Sequence, residues 1–228
     1  FGRLELEIHQ PQIKLMKIDF YFSVRSPYSY LISPRIIMLR DKYGVDVNFK
    51  LVYPLAIREP EFFEGKNFFT YFWWKMIDMK LKARRLGLPF SLPPKPDPIR
   101  QNTFTGEVLK DQPFIFDICH FLQAIEHDKQ LDFAYEISRC IFGGTEDWHK
   151  DNNLIEVTNK LGLDFQSIKN KVAEKEEEII SQIKKNQKEQ LEAGHHGVPL
   201  SVYKDKFFFG QDKFNDLVKE LRKDGLNI

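Results

Sequence analysis

This chain has only two cysteines among its 228 residues, and they do not form a CxxC pair. Cys119 and Cys140 lie too far apart for a redox motif, and their spacing does not fit a zinc site. Both fall in apolar, helix-like stretches, so we expect buried thiols in the reduced form. Thiols of this kind favour a reducing compartment, and we expect the protein to be cytoplasmic.

The sequence also lacks an excess of charge and a long apolar run. Its 34 Lys and Arg residues nearly balance 33 Asp and Glu residues, so charge alone implies no nucleic-acid partner. No segment approaches the roughly 20 apolar residues of a membrane-spanning helix, so we expect no membrane partner. His195 and His196 are adjacent and have no third ligand in register, so we predict no metal site.

The N-terminal part predicts a β-α-β unit. The segment 17–24 is rich in aromatic and β-branched residues and suits a buried strand. Ser26 and Pro27 are favoured residues for the start of a helix, which should end before Gly44. Apolar residues then alternate over 45–53, which predicts a second strand. Because a helix separates the two strands, we expect them to be parallel.

The middle of the chain, residues 60–193, lacks strand patterns and predicts a set of helices. Its first stretch, 62–74, contains eight large aromatic rings, which is more than one core-facing stripe needs. A helix buried on two sides, the wall of an apolar pocket and a dimer contact are all compatible with this pattern. Residues 89–98 are proline-rich and predict an irregular loop. The later spacing predicts helices over 113–128, 132–142, 145–162 and 164–193.

After Gly197 the strand pattern returns. Two short strands, 200–203 and 207–209, predict a tight hairpin, and 212–222 predicts a closing helix. The chain is therefore predicted to be an α/β protein of the thioredoxin-like class, β-α-β followed by β-β-α, with a large all-helical insertion. The predicted units are 16–58 and 194–228 for the thioredoxin-like part and 59–193 for the insertion.

Two positions next to predicted element ends are candidates for chemistry. Ser26 would stand at a helix N-terminus, where backbone N–H groups favour an anion and a hydroxyl can stabilise a thiolate; Ser-Pro is also an ordinary helix start. A cis Val198-Pro199 bond would present backbone groups to an extended peptide. A plain trans proline at the start of an edge strand is the alternative.

Asp212 and His196 are further candidates. The Asp212 carboxylate is able to bind an ammonium group, or it serves as an N-cap of the closing helix. His196 stands near the proline turn, where it either lines a pocket as an acid or base or has no role in chemistry.

The order and separation of these motifs resemble one family. The strand followed by Ser26-Pro27-Tyr28-Ser29-Tyr30-Leu31, and at long range Gly197-Val198-Pro199 and Phe208-Phe209-Gly210-Gln211-Asp212, resembles the 2-hydroxychromene-2-carboxylate isomerase and kappa-class glutathione transferase group, a DsbA-type branch of thioredoxin folds. The resemblance covers residues 16–222. The segment 86–90 is also similar to the end of that family's first inserted helix.

The resemblance implies glutathione as cofactor. Ser26 matches the serine that faces the glutathione sulfur, and Val198, before the cis-proline Pro199, matches the residue that pairs with the cysteinyl backbone. Gln211 and Asp212 match the pair that holds the γ-glutamyl end. This sequence departs from the family pattern at His196, where Phe is usual, and at Gln211, where Ser or Asn is usual.

A further departure concerns the other end of glutathione. The family's Gly-Asn loop is missing, and Tyr71 stands where a glutathione-binding lysine would be; Lys66-Asn67 lies nearby, out of register.

The function implied is a glutathione-dependent isomerase or transferase, acting as a homodimer on an unsaturated aromatic small molecule. The alternative is a non-catalytic thioredoxin-like module that binds an extended peptide at the Val198-Pro199 edge, as a chaperone might. A disulfide oxidoreductase is disfavoured because Ser26 and Ser29 replace the two thiols that it would need.

Overall fold

The computed structural model describes residues 16–63, 68–102, 105 and 107–228, and side chains are described for all of these except 63 and 68–74. A four-stranded sheet has the order β2-β1-β3-β4. Its strands are β1 (Lys17–Phe22), β2 (Asp46–Leu51), β3 (Leu200–Tyr203) and β4 (Lys206–Phe209). β1 runs parallel to β2 and antiparallel to β3, as the predicted β-α-β and hairpin units require. The predicted thioredoxin-like α/β class is confirmed.

The helix between the parallel strands, α1 (Pro27–Tyr43), begins and ends where the sequence predicts. Ser26 is its N-cap, Pro27 is its first residue, and Gly44 follows it with a φ of 67°. Glycine adopts this left-handed conformation without the steric cost that a Cβ would add, so the chain turns sharply into β2. The N-terminus of α1 is thereby fixed at the end of β1.

The described part of the insertion between β2 and β3 consists of helices and irregular loops, apart from an isolated bridge between Gln101 and Val108. Its elements are α2 (Leu55–Arg58), a 3₁₀ turn (Pro60–Phe63), α3 (Phe68–Arg85), α4 (Ile115–Ala124), α5 (His127–Gly143), α6 (Asp151–Lys160), α7 (Phe165–Glu174) and α8 (Glu176–Glu192). The closing helix, α9 (Phe214–Lys223), follows a 3₁₀ turn (Gln211–Lys213). Among the described helices, none is long and apolar enough to cross a bilayer.

One hydrophobic core runs through both the sheet and the insertion. Phe20 and Leu31 belong to the same buried cluster as Phe133 and Ile183 from the inserted helices. The Tyr30 hydroxyl donates to the Pro89 carbonyl at 3.0 Å, and its ring stacks on Phe142. α1 is therefore held between the sheet and α5, and the helix N-terminus has little freedom to move relative to the insertion.

Several predicted helix boundaries are wrong, and three of them have an identifiable structural cause. Residues 145–150 are not helical, because the Trp148 ring is buried and its Nε1–H donates to the Pro96 carbonyl at 2.7 Å. The stretch predicted as 113–128 stops at Ala124, where Gln130 donates to the Gln123 and Ile125 carbonyls and so replaces the next helical turn. Asp212 is not the N-cap of α9, since the 3₁₀ turn precedes that helix.

Cys119 is buried and Cys140 is half-buried, and both are free thiols. Burial raises the pKa of both thiols, so they are protonated and unreactive near neutral pH. Cys119 is buried as predicted, whereas Cys140 is less buried than expected.

Candidate functional site

Ser26 places its hydroxyl at the first turn of α1. The hydroxyl oxygen accepts the Ser29 N–H at 3.2 Å, as an N-cap does, and lies 3.4 Å from the Val198 carbonyl oxygen. Pro27 has no N–H, and in the described residues the Tyr28 N–H has no carbonyl acceptor. A hydroxyl and an unpaired N–H at the positive end of a 17-residue helix form a site that favours an anion.

The Val198-Pro199 peptide bond is cis, which was one of the two possibilities left open by the sequence. Within the described part of the chain the Val198 N–H has no acceptor, while its carbonyl faces the Ser26 hydroxyl. A backbone N–H and C=O of one residue, both outside the sheet ladder, are the pair that an extended peptide backbone needs. Ser26 and Val198 are thus brought together from positions 172 residues apart.

Gly197 allows this close approach. A Cβ built at this position would lie 2.5 Å from the Phe209 ring and 2.8 Å from the His195 ring. The His195 Nδ1 in turn accepts the Gly197 N–H at 2.8 Å, and its ring stacks on Phe209 at 3.9 Å between centroids. Only a residue without a side chain fits between these rings, so the turn before Val198 is closely packed.

A cavity of about 490 Å³, here called the junction cavity, opens between the sheet domain and the insertion. Ser26, Tyr28 and Val198 form one side of it, and largely apolar residues of the insertion form the other. The described lining is completed by Ser23, Arg25, Pro27, Pro54, Leu55, Ala56, Phe62, Lys75, Met76, Met79, Leu92, Pro93, Pro94, Asp97, Gln101, His195, His196, Gly197 and Phe209. It contains no cysteine, so a thiol in this cavity has to come from a ligand.

A bidentate ion pair connects the proline-rich loop to the wall of the cavity. Arg25, next to Ser26, donates from Nε and Nη2 to the two carboxylate oxygens of Asp97 at 2.6 and 2.8 Å. Asp97 also accepts the Ile99 N–H at 3.0 Å, which fixes the carboxylate within its loop. This planar, paired geometry holds Leu92, Pro93 and Pro94 over the cavity.

Gln211 and Asp212 lie on an adjoining surface and do not line the junction cavity. Gln211 is buried, and both its carbonyl and its Oε1 accept hydrogen bonds from Arg35, at 3.0 and 2.7 Å. Asp212 is exposed and binds the Lys82 ammonium at 2.9 Å. Lys82 also binds Asp78 at 2.9 Å, and this carboxylate accepts the Tyr28 hydroxyl at 3.1 Å.

The Tyr28 ring therefore connects the two surfaces. Burial and the neighbouring Asp78 carboxylate raise the pKa of Tyr28 to about 12, so its hydroxyl remains a hydrogen-bond donor at neutral pH. Burial works against the charge on Lys82, but its bonds to Asp78 and Asp212 outweigh burial and raise the pKa of its ammonium group. The adjoining surface keeps two carboxylates, one ammonium and one guanidinium within one cluster.

The fold and this geometry agree with the match of the chain to a known family. The sequence pattern described as the DsbA-like thioredoxin domain matches residues 17–222. The chain belongs to that family. No curated protein matches it by sequence comparison.

Solved structures resemble this DsbA-like chain at low sequence identity. A 2-hydroxychromene-2-carboxylate isomerase is 18% identical with a TM-score of 0.69, over 91% of this chain and 95% of the other. A probable DsbA oxidoreductase from Streptomyces coelicolor is 16% identical with a TM-score of 0.63, over 93% and 92%. The cytosolic disulfide reductase DsbM from Pseudomonas aeruginosa with GSH is 15% identical with a TM-score of 0.55, over 91% and 100%. At these identities the likeness shows the fold.

This DsbA-like chain has site residues that the sequence did not reveal. Arg25 and Asp97 meet across 72 residues, and Glu59 meets His196 across 137. Charged residues are frequent on any surface, and nothing in the sequence pairs these particular ones. Some predicted features lie outside the described side chains, and the predictions about them stay predictions. These features are Tyr71, Lys66-Asn67 and most of the aromatic stretch 62–74.

Proposed function

We propose that this protein is a glutathione-dependent isomerase or transferase that acts on an unsaturated aromatic small molecule. The observation that carries the proposal is the meeting of the Ser26 hydroxyl, at the start of α1, with the Val198 carbonyl, next to a Val198 N–H that has no acceptor among the described residues, at the edge of a largely apolar cavity without a cysteine in its described lining. A site built in this way favours a thiolate but supplies none, so the nucleophile is brought by a ligand. A peptide thiol meets both requirements.

Glutathione fits the described groups along its length. Its cysteinyl backbone would pair with the Val198 N–H and C=O, which places the sulfur near Ser26. Its γ-glutamyl end is a zwitterion, and the adjoining surface offers carboxylates from Asp78 and Asp212 beside the cations of Lys82 and Arg35. Asp212 is 69% exposed at its side chain, so it is accessible to a second ammonium group.

The chemistry follows from a stabilised thiolate next to apolar walls. The Ser26 hydroxyl and the Tyr28 N–H lower the free energy of the thiolate relative to the thiol. In an isomerase the thiolate adds to a conjugated double bond, the former double bond rotates, and the thiolate leaves again. Met76, Met79 and Phe62 would contact the aromatic part of the substrate. The isomerase and the GSH-containing reductase among the structural neighbours are consistent with this assignment.

The proposal includes a homodimer in the cytoplasm. Cytoplasmic glutathione is reduced, as this chemistry requires. Ile77 and Leu81 stand one turn apart on α3 and are 39% and 50% exposed, so together they form an apolar pair that a second copy would cover. Light scattering during size exclusion would return the mass of one chain if this part of the proposal is wrong.

The first experiment is isothermal titration calorimetry of the protein with glutathione and with S-methyl glutathione. We expect saturable binding of both, weakened at least tenfold by Asp212→Ala, which removes a charged contact worth roughly 1.5–3 kcal/mol. Asp216→Ala is the control, because Asp216 is an exposed carboxylate on α9 whose partners among the described residues are Lys213 and Lys219. Absence of binding up to millimolar glutathione would reject the proposal.

Ser26→Ala tests the thiolate. The ultraviolet absorbance of bound glutathione thiolate, followed against pH, should titrate at higher pH in this variant. An unchanged titration with unchanged affinity would remove Ser26 from the mechanism. The peptide-binding alternative has the opposite signature: extended peptides without a thiol would bind and glutathione would not compete with them.

A further inference from the structure

His196 makes a directed contact with Glu59 in the wall of the junction cavity. The His196 Nδ1 lies 3.0 Å from both Glu59 carboxylate oxygens. A carboxylate only accepts hydrogen bonds, so in the neutral ring the Nδ1 carries the proton and Nε2 carries the lone pair. Among the described residues Nε2 has no hydrogen-bond partner, and the side chain is 40% exposed.

The surrounding contacts fix this ring. The half-buried Arg58 guanidinium donates from Nη2 to the His196 carbonyl at 2.8 Å and from Nε to the Tyr53 carbonyl at 2.8 Å. The Phe62 ring meets the imidazole edge to face at 6.1 Å between centroids. On the other side of His196 stands the closely packed Gly197 turn, two residues before Pro199 and one before Val198. The backbone that carries the imidazole is therefore continuous with the backbone that faces Ser26.

The geometry points to a proton-transfer dyad in which His196 is a catalytic acid–base residue and Glu59 is the positioning residue that holds its tautomer. This inference rests on the proposed function and extends it. Ser26 stabilises an anionic sulfur but is a poor base, so a separate group has to take the thiol proton and return one to the substrate. His196 is the described residue of the cavity wall with a free, basic ring nitrogen.

The proton and electron balance of the cycle closes without any other reagent. His196 Nε2 takes the proton of the glutathione thiol, and the thiolate lone pair forms a sulfur–carbon bond to the β-carbon of an α,β-unsaturated carbonyl compound. The carbon–carbon π pair moves towards the carbonyl oxygen, which receives the proton from Nε2. The former carbon–carbon double bond, now single, rotates. Nε2 then takes that proton back, the double bond re-forms and the sulfur leaves as thiolate. The substrate class is an aromatic α,β-unsaturated ketone or keto acid.

Among the described residues, the charged groups around the imidazole are of both signs. Glu59 contacts Nδ1, Arg58 binds the backbone carbonyl, and the His195 ring lies 5.6 Å away between centroids. Arg25, Asp97 and Lys75 line other parts of the same cavity. Glu59 and His195 both lie next to His196, so any pH profile of activity has to be compared among variants at both of these positions.

The experiment measures turnover of the isomerically defined ketone cis-benzylideneacetone with saturating glutathione, in parallel with calorimetric binding of glutathione. We expect His196→Gln to keep glutathione binding and to reduce kcat by about 10²–10⁴-fold, the range for loss of a general acid–base group. Glu59→Gln should reduce kcat by about 10–100-fold, because an amide can donate to Nδ1 and stabilise the wrong tautomer. Added imidazole should restore part of the activity of His196→Ala.

The matched controls are His127→Gln and Glu61→Gln. His127 is an exposed histidine of α5, and Glu61 is an exposed glutamate of the 3₁₀ turn that follows Glu59. Nitrogen NMR shifts of the His196 ring report the tautomer directly and should change in Glu59→Gln. Retained binding with unchanged kcat in His196→Gln, or no rescue by imidazole, would overturn the dyad and leave the proposed function standing. No glutathione binding by the unsubstituted protein would overturn both.

Discussion

The junction cavity and a second cavity inside the insertion each contain a histidine beside a glutamate, but the two histidines are held differently. The second, here called the insertion cavity, has a volume of about 350 Å³ and is lined by Pro113, Phe114, Asp117, Ile118, His120, Phe121, Trp148, His149, Asp151, Leu154, Phe165, Lys169, Val172, Ala173 and Glu176. His120 has its Nε2 at 2.8 Å from the Tyr53 hydroxyl and its Nδ1 at 3.7 Å from Glu176. In contrast, His196 binds one carboxylate through Nδ1, and its Nε2 has no hydrogen-bond partner in the described part of the chain.

The difference shows which histidine suits chemistry. The His120 side chain is 9% exposed and both of its nitrogens face a partner, so its ring links α4 to the end of β2. Burial lowers the pKa of His120, which keeps it neutral. The His196 side chain is 40% exposed in a cavity that also contains Ser26 and Val198. A histidine next to a glutamate is therefore informative only when its second nitrogen and its accessibility are known.

The largest effect should come from His120→Ala. Removal of the imidazole leaves a void and a buried Tyr53 hydroxyl without its partner, so we expect the free energy of unfolding to fall by about 2–4 kcal/mol. His196→Ala, at a half-exposed position, should cost about 0.5 kcal/mol or less. Urea unfolding followed by circular dichroism measures both. Equal losses at the two positions would contradict the comparison.

Gly197→Ala tests how tightly the turn next to the junction cavity is packed. The new Cβ would lie 2.5 Å from Phe209 and 2.8 Å from His195, so we expect a loss of about 1–3 kcal/mol in unfolding free energy. Gly143→Ala is the matched control, because its Cβ would meet Pro89 at an ordinary 3.6 Å. Thermal unfolding measures the stability of both variants. An unchanged stability of Gly197→Ala would show that the rings move aside easily.

A double-mutant cycle on Arg25 and Asp97 tests the loop over the junction cavity. The paired geometry and partial burial predict a coupling free energy of about 1 kcal/mol, with weaker ligand binding in each single variant. The exposed pair of Arg100 and Asp111 is the comparison, with an expected coupling of about 0–0.5 kcal/mol. Similar couplings for both pairs would mean that the Arg25 pair does not hold the loop in place.

The smallest effect is a pH dependence of stability due to His120. Because its folded-state pKa is lowered, the unfolded chain takes up the proton first as the pH falls below the ordinary histidine value of about 6.5. Stability should therefore decrease with acidification from that value and level off below the folded-state pKa. The slope should be smaller in His120→Gln. Burial also lowers the pKa of His195. The same stability measurements against pH in His195→Gln therefore give the contribution of His195 to the pH dependence.

Local patterns predicted the thioredoxin-like part of the fold well because the information lies in neighbouring residues. Ser26-Pro27 and Gly44 bound α1 through the conformations that these residue types prefer, and alternation of apolar residues identifies β2. Boundaries inside the insertion were less predictable. The non-helical segment around Trp148 depends on a bond to Pro96, 52 residues away, which no local preference encodes.

The sequence by itself determined the class of the fold, the helix start at Ser26 and the absence of a thiol where a redox pair would stand. Tertiary structure alone decided that Ser26 meets Val198, that Asp212 binds Lys82 instead of capping a helix, and that Glu59 holds His196. The physical reason is the separation along the chain between the residues that interact. Capping and strand alternation act within a few residues, whereas ion pairs and cavities depend on which distant surfaces the packed core brings together.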